Sequence, residues 1–175
     1  MNETTRLENE YGIVAFSFAL RRENQEPNPC NERLAANVER AVEQVPGTPA
    51  VIAQWEVARA LKPLRGTVDK VVGPDADDEY LGSEQVWEDA KQVLKERGIN
   101  RVVLIAQPFL HLSKVARLAR NDGYDIIRFQ VRGIGFDNTK ENTQWWTRGP
   151  VRLAAYALPQ MLAGIHGGKP ARGHT

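Results

Sequence analysis

Residues 101–106 read Arg-Val-Val-Leu-Ile-Ala, a short run that is almost entirely apolar and contains several β-branched side chains. Such a run is typical of a strand that is buried on both faces of a parallel sheet. Similar runs occur at Gly12–Phe18, Ala50–Ala53, Val68–Val72 and Tyr124–Val131. Together they predict a mainly parallel sheet of about five strands, with Gly12–Phe18 as its first and central strand.

Segments with apolar residues at helical spacing separate these runs. The predicted helices are Asn31–Gln44, Trp55–Leu64, Ser83–Arg97, Leu110–Arg120 and Pro150–Ile165. Asn31 has a side chain suited to the N-cap of the first helix. Because strands and helices alternate, right-handed crossovers and a doubly wound α/β sheet are expected. Ligands of such sheets bind where the chain leaves the carboxyl ends of the strands.

The chain has 175 residues, which is close to the usual size of one domain. We expect one α/β domain at 11–166, a flexible N-terminus at 1–10 and a flexible C-terminal tail at 167–175. The first ten residues are polar and acidic, and no apolar run approaches the roughly 20 residues of a membrane span. We therefore expect a cytoplasmic protein without membrane contact.

Composition excludes further classes of function. The formal net charge is +1, which creates no field that would gather nucleic acid, so no nucleic-acid partner is expected. Cys30 is the only cysteine, so no disulfide can form within the chain. No strand-to-helix loop has the glycine pattern of a standard NAD or P-loop site.

Polar residues at the strand ends are the candidates for a site. They are Ser17, Gln54, Glu56, Asp75, Asp77, Asp78, Gln107 and His111. His111 lies at a predicted helix start and could act as acid or base near neutral pH. The alternative is a helix cap or a surface histidine. Lys114 shares its helix face and could bind an anionic group beside it, or serve only solubility.

Two other features have alternative interpretations. The acidic run 75–79 offers oxygen ligands for a divalent cation, but it lacks the EF-hand pattern, and a solvated loop is the favoured interpretation, so no metal site is expected. Trp145 and Trp146 could cover a pocket, form a surface for a partner, or anchor the last helix to the sheet.

Two segments carry a resemblance to a known family. Glu32-Arg33-Leu34-Ala35-Ala36 opens the helix after the first strand, and residues 103–115 read Val-Leu-Ile-Ala-Gln-Pro-Phe-Leu-His-Leu-Ser-Lys-Val. Over almost its whole length the chain resembles the YdcF-like family, which includes the bacterial envelope proteins ElyC and SanA. His111 matches that family's helix start, whereas Lys114 stands in place of an arginine.

The family also has an acidic residue before a Ser-x-Asn-Thr-x-Glu-Asn stretch, which corresponds here to Asp77, Ser83 and Gln85. The segment Asn138-Thr139-Lys140-Glu141-Asn142 contains that motif's letters, but it lies after His111, in the wrong chain order. Either the match is a coincidence, or another loop brings similar groups to the same crevice.

The resemblance implies a Rossmann-like three-layer fold with a polar pocket for S-adenosylmethionine or another nucleotide-like molecule. His111 would be the acid or base, or a hydrogen-bond donor to the ligand. Lys114 and Arg33 would bind negative charge, and Ser83, Gln85 and Asp77 would orient the ligand.

Two other functions remain open from the sequence. One is a non-catalytic protein that binds a partner, for example in an envelope-related regulatory role. The other is metal-assisted hydrolysis at Asp75, Asp77, Asp78 and His111. The sequence does not indicate the natural ligand, the reaction or the oligomeric state.

Overall fold

One five-stranded sheet forms the centre of the molecule. The computed structural model describes residues 11–21, 27–61, 68–73, 81–108 and 110–162. The strands are β1 Tyr11–Ala15, β2 Ala50–Gln54, β3 Lys70–Val72, β4 Arg101–Ile105 and β5 Asp125–Ile126. They lie in the order β3-β2-β1-β4-β5, and each neighbouring pair is parallel. The predicted parallel α/β sheet of about five strands is confirmed.

Helices cover both faces of this sheet. They are α1 Pro29–Gln44, α2 Trp55–Ala60, α3 Ser83–Glu96, α4 Leu110–Asn121 and α5 Pro150–Leu162. Successive side chains of a strand point to opposite faces. The side chains of Ile13 and Ala15 accordingly join the core with α1, α2 and α5, whereas Val14 and Phe16 join the core with α3 and α4. The result is the three-layer arrangement of a Rossmann-like fold. None of the described helices combines the length and apolar character needed to cross a bilayer.

Gly12 in β1 allows α3 to pack closely against the sheet. A Cβ atom at this position would collide with the Leu94 side chain of α3. The absence of a side chain is therefore needed for this close approach.

The first helix begins earlier than the sequence analysis predicted. Asn28, not Asn31, is the N-cap: its Oδ1 accepts a hydrogen bond from the Asn31 backbone N–H at 2.9 Å. The Asn31 side chain instead accepts from the backbone N–H of Phe18 at 2.9 Å. Pro29 fits the first helical turn because its missing N–H would have no partner there. Both asparagines thus fasten α1 to the chain that follows β1.

The predicted last strand, Tyr124–Val131, is much shorter than expected. Only Asp125–Ile126 forms β5, at the edge of the sheet. Beyond it, side chains of α1 bind the backbone: Asn37 contacts both the N–H and the C=O of Arg132, and Arg40 donates to the C=O of Gln130. These side-chain contacts replace the sheet hydrogen bonds that a longer strand would have made.

Other predicted boundaries differ by a few residues or cannot be compared. β1 ends at Ala15 rather than Phe18, although the backbone N–H of Phe16 still donates to Ile105 of β4. The second helix ends at Ala60 rather than at Leu64, because the backbone of Leu61 is extended. The predicted end of the last helix, Ile165, lies outside the described residues, as do both predicted flexible termini.

The strand order has one consequence for function. From β1 the chain proceeds outward to β2 and β3, and then crosses back to place β4 on the other side of β1. The loops after β1 and β4 therefore leave the sheet in opposite directions. In doubly wound sheets this switch point opens the crevice in which ligands bind.

Candidate functional site

A cavity of about 150 Å³ lies at the carboxyl ends of β1 and β2, beside the first turns of α3 and α4. Five of the predicted catalytic or ligand-binding residues line it, namely Ser17, Gln54, Ser83, His111 and Lys114, as does Trp146, which the sequence analysis named as a possible pocket cover. The remaining lining residues are Phe18, Leu81, Leu110, Gln144, Thr147, Leu153, Tyr156 and Ala157. The cavity is therefore polar towards the sheet and largely apolar and aromatic towards α5.

Ser17 connects the ends of the first two strands. Its backbone N–H donates to Oε1 of Gln54 at 3.0 Å, and its hydroxyl hydrogen-bonds the Glu56 carboxyl group. Glu56 is buried, and this burial raises the pKa of its carboxyl group to about 7. Its Oε2 atom has no hydrogen-bond partner among the described residues. At neutral pH the Glu56 carboxyl group beside Ser17 is thus neutral or half-ionised.

Ser83 and His111 meet across the cavity wall. The Ser83 Oγ atom lies 2.9 Å from Nε2 of His111, which is hydrogen-bonding distance. Ser83 is the first residue of α3 and His111 is the second residue of α4, so two helix starts converge on this contact. Both side chains are partly exposed and line the cavity.

The surroundings of His111 favour its neutral form. Burial, assisted by the positive charge of Lys114, lowers the pKa of His111 from 6.5 to about 4, although Glu84 opposes the shift. The imidazole ring also packs edge-on against Phe16, with ring centroids 5.8 Å apart. At neutral pH His111 is therefore an uncharged group with one nitrogen that can accept a proton.

Lys114 lines the cavity but also has an acidic partner. Its Nζ atom lies 2.8 Å from Oε1 of Glu84, and both side chains are about two-fifths exposed, at 39% and 40%. Burial alone would raise the pKa of Glu84, but the contact with Lys114 brings it below its ordinary value. The pair is open to solvent, so a ligand anion could compete with Glu84 for the ammonium group.

The structure does not bring every predicted site residue into this cavity. Arg33 and Gln85 are exposed on α1 and α3 and do not line it. Gln107 is fully buried at the end of β4, where its backbone C=O accepts from Leu112 in α4, and it is not a lining residue either. Asp77 lies outside the described residues, as do Asp75 and Asp78.

The sequence analysis missed most of the wall that faces the sheet ends. Gln144 and Thr147 belong to the segment around a 3₁₀ turn, Trp145–Arg148, and Leu153, Tyr156 and Ala157 belong to α5. The tryptophan pair was the one available signal. Trp146 lines the cavity and stacks on Tyr156, with centroids 4.7 Å apart, whereas Trp145 is 47% exposed.

The segment Asn138–Asn142 stabilises the wall that contains Gln144 and Thr147 but does not line the cavity. Asn142 is fully buried, and its Nδ2 donates to the backbone C=O of Asp137 and to Oγ1 of Thr147. Its Oδ1 accepts from the backbone N–H of Gln144 at 3.0 Å. Asn142 therefore positions the two polar residues that enter the cavity, and it does not itself line the cavity.

The described residues contain no group of three or more His, Cys, Asp or Glu side chains that could hold a metal ion. The acidic run that the metal hypothesis requires is outside this part of the chain. Metal-assisted hydrolysis thus stays a hypothesis from the sequence, without structural support from the residues around His111.

Comparison with known proteins identifies no relative. No protein-family model matches the chain, and neither the curated proteins nor the solved structures contain a match. The resemblance to the YdcF-like family stays a prediction, and the functional argument depends on the geometry of the cavity.

Proposed function

We propose that this protein binds a small anionic or nucleotide-like molecule in the cavity at the β1/β4 switch point, with His111 as the acid or base. The observation that carries the proposal is the contact between Ser83 and His111, because it places a neutral imidazole and a hydroxyl group side by side on the cavity wall. A concave site with convergent polar groups and a titratable side chain of shifted pKa is typical of a ligand site.

Three features support an anionic ligand. The helices α3 and α4, with 14 and 12 residues, both begin at the cavity, where the positive ends of their dipoles favour negative charge. Lys114 adds a positive charge on the same wall. Because Lys114 is 39% exposed, salt would screen its attraction to a ligand anion, and we expect binding to weaken with increasing salt.

The size of the cavity limits what it can enclose. Its volume of about 150 Å³ is similar to that of a protein cavity which binds benzene, so it can enclose a single ring or a short chain. A nucleotide-like ligand, including S-adenosylmethionine, would place one ring against Trp146 and extend its other groups out of the enclosed part. Trp146 offers the planar surface that such a ring requires.

A thermal-shift panel tests this proposal. Nucleotides, S-adenosylmethionine, sugar phosphates and divalent ions are each added to wild type and to His111→Ala. A ligand that binds the folded state raises the melting temperature, and the substitution should reduce that rise. If no compound raises it, or if His111→Ala responds as wild type does, the cavity is not the binding site.

A second candidate, from a different class, is the binding of a protein partner through the outer surface of α5. Trp145 is 47% exposed, and Val151 and Leu158 are 80% and 55% exposed, seven residues apart on one face of the helix. Exposed apolar side chains on one face are typical of a contact surface. Trp145→Ala would then abolish partner binding without affecting ligands of the cavity.

Membership of the YdcF-like family and a cytoplasmic location remain part of the proposal.

A further inference from the structure

The Ser83–His111 contact can support a second kind of chemistry besides ligand binding. A serine hydroxyl is a weak nucleophile unless an adjacent base accepts its proton, and the two groups must lie within about 2.6–3.2 Å. The distance of 2.9 Å between Ser83 Oγ and His111 Nε2 meets this requirement. Both groups line the cavity and are partly exposed, so a bound molecule can reach them.

We propose that Ser83 is a catalytic nucleophile, activated by His111, and that the protein hydrolyses small carboxylic esters through an acyl-enzyme intermediate. This inference rests on the proposed function, because it uses the same cavity and the same base. It adds a covalent step and a class of substrate.

The protonation state of the pair at neutral pH fits this role. When the proton of the neutral imidazole is on Nδ1, Nε2 accepts the hydrogen bond from the Ser83 hydroxyl. The transfer of that proton turns the ring into an imidazolium. Burial and the positive charge of Lys114 oppose this charged form, and the negative charge of Glu84 favours it. Glu84 would therefore be a positioning residue that stabilises the charge formed during the reaction.

Positive potential is available where negative charge would develop. Ser83 is the first residue of α3, and the N-cap, Gly82, has no side chain that could bond to the backbone N–H groups of the first turn. Lys114 lies on the same wall, and its positive charge, which is paired with Glu84, would also act on the developing negative charge. A substrate carbonyl oxygen that becomes negative would be stabilised by these groups, as in an oxyanion hole.

The cavity selects a small substrate. The walls next to the pair contain Leu81, Leu110, Trp146 and Tyr156, which suit an apolar group. With a volume of about 150 Å³, the cavity holds a short acyl chain or a single ring, and a bulky alcohol group would have to extend out of it. An ester of a short-chain acid fits this space.

The reaction has two balanced steps. In the first, Ser83 Oγ forms a bond to the ester carbonyl carbon while Nε2 of His111 takes the hydroxyl proton. The bond to the leaving alcohol then breaks, and His111 returns the proton to that alcohol. In the second, a water molecule attacks the acyl group, again losing its proton to His111, and the acid departs as the proton returns to Ser83 Oγ. Only water is consumed besides the ester.

A fluorophosphonate probe tests the nucleophile directly, because an activated serine displaces its fluoride and becomes covalently labelled. We expect mass spectrometry of the labelled, folded protein to find the probe on Ser83. Labelling should be absent in Ser83→Ala and at least about 100-fold slower in His111→Ala, the usual loss when a general base is removed. Ser113→Ala, on the exposed side of α4, is the matched control and should label as wild type does.

The outcomes separate this inference from the proposed function. If wild type is not labelled at Ser83, or if labelling is equally fast in His111→Ala, Ser83 is not an activated nucleophile. The thermal-shift panel on wild type and His111→Ala is scored separately: ligands that raise the melting temperature of wild type, and raise that of His111→Ala less, leave the binding function intact. Release of nitrophenol from p-nitrophenyl acetate, with loss of activity in Ser83→Ala, would complete the support for ester hydrolysis.

Discussion

Arg21 donates two hydrogen bonds to Asp137, at 2.8 Å from Nε and 3.1 Å from Nη2, although 116 residues separate them in the chain. The Asp137 side chain is 1% exposed. Burial alone would raise the pKa of Asp137, but hydrogen bonds from Arg21 and Thr139 hold it below its ordinary value. This ion pair fastens the segment that carries Gln144 and Thr147 to the chain leaving β1. Together with the hydrogen bond from the Thr143 backbone N–H to the Leu20 C=O, it holds the cavity wall that contains Gln144 and Thr147.

Arg21→Gln should therefore destabilise the protein. Removing one partner of a buried ion pair leaves a buried charge uncompensated, and we expect a loss of about 3 kcal/mol in the free energy of unfolding. Glu88→Gln is the control, because Glu88 pairs with Lys91 but is 63% exposed, so its loss should cost less than about 1 kcal/mol. Equal losses in urea denaturation would show that Arg21 and Asp137 do not form a structural pair.

Trp145 and Trp146 should differ in their effect on ligand binding. Trp146→Ala removes a planar wall of the cavity, and we expect the Kd of a ring-containing ligand to rise by roughly tenfold. Trp145→Ala removes an exposed neighbour that does not line the cavity, and the Kd should change by less than about twofold. Isothermal titration of both variants measures this difference. A larger effect of Trp145→Ala would favour the outer surface of α5 as the binding site.

Glu56 should make the protein less stable at high pH. Its pKa is about 7 in the folded state and about 4.5 in the unfolded state, so between these values the folded state binds more protons. The stabilisation is complete below about pH 4.5 and is lost as the pH rises through 7. The loss amounts to at most about 3 kcal/mol, since each pKa unit corresponds to about 1.4 kcal/mol.

Glu56→Gln isolates this contribution because glutamine has nearly the same shape and does not titrate. We expect the variant to gain stability relative to wild type as the pH rises from about 5 to 8. Chemical denaturation at several pH values measures the gain. A constant difference between variant and wild type across that range would contradict the raised pKa of the Glu56 carboxyl group.

His111 should make the protein less stable at low pH. Its pKa is about 4 in the folded state and about 6.5 in the unfolded state, so between these values the unfolded state binds more protons. The stability is therefore complete above about pH 6.5 and falls as the pH decreases towards 4, by at most about 3 kcal/mol. His111→Gln should lack this dependence. If wild type and variant lose stability in parallel between pH 6.5 and 5, the imidazole is not kept neutral by its surroundings.

The sheet was predictable because its strands carry a local signal. Val102–Ile105 and Ile13–Phe16 are uninterrupted apolar runs, as expected of strands buried on both faces. Parallel strands place all their carboxyl ends at one edge of the sheet. The sequence could therefore indicate Ser17, Gln54 and His111 as site residues. The contact between Ser83 and His111 was not predicted, since 28 residues separate them and the distance depends on how α3 and α4 pack.

The parts that were missed depend on contacts between distant residues. The last predicted strand ended early because Asn37 and Arg40 of α1 bind its continuation. The cavity wall that contains Gln144 and Thr147 belongs to an irregular segment. The buried contacts of Asn142 and Asp137 set the conformation of this segment. Neither contact leaves a periodic pattern in the sequence, so the sequence of 134–147 does not indicate its conformation.

The central claim is that ligand binds in the cavity beside Ser83 and His111. Ala157 lines this cavity, and Ala154 lies one turn earlier on α5, exposed and outside the lining. We would measure the Kd of the compound that stabilises wild type most, for Ala157→Trp and for Ala154→Trp. The account predicts that Ala157→Trp fills the cavity and weakens binding by at least about tenfold, a cost of about 1.4 kcal/mol, while Ala154→Trp binds as wild type does. Unchanged affinity in a folded Ala157→Trp protein would contradict it.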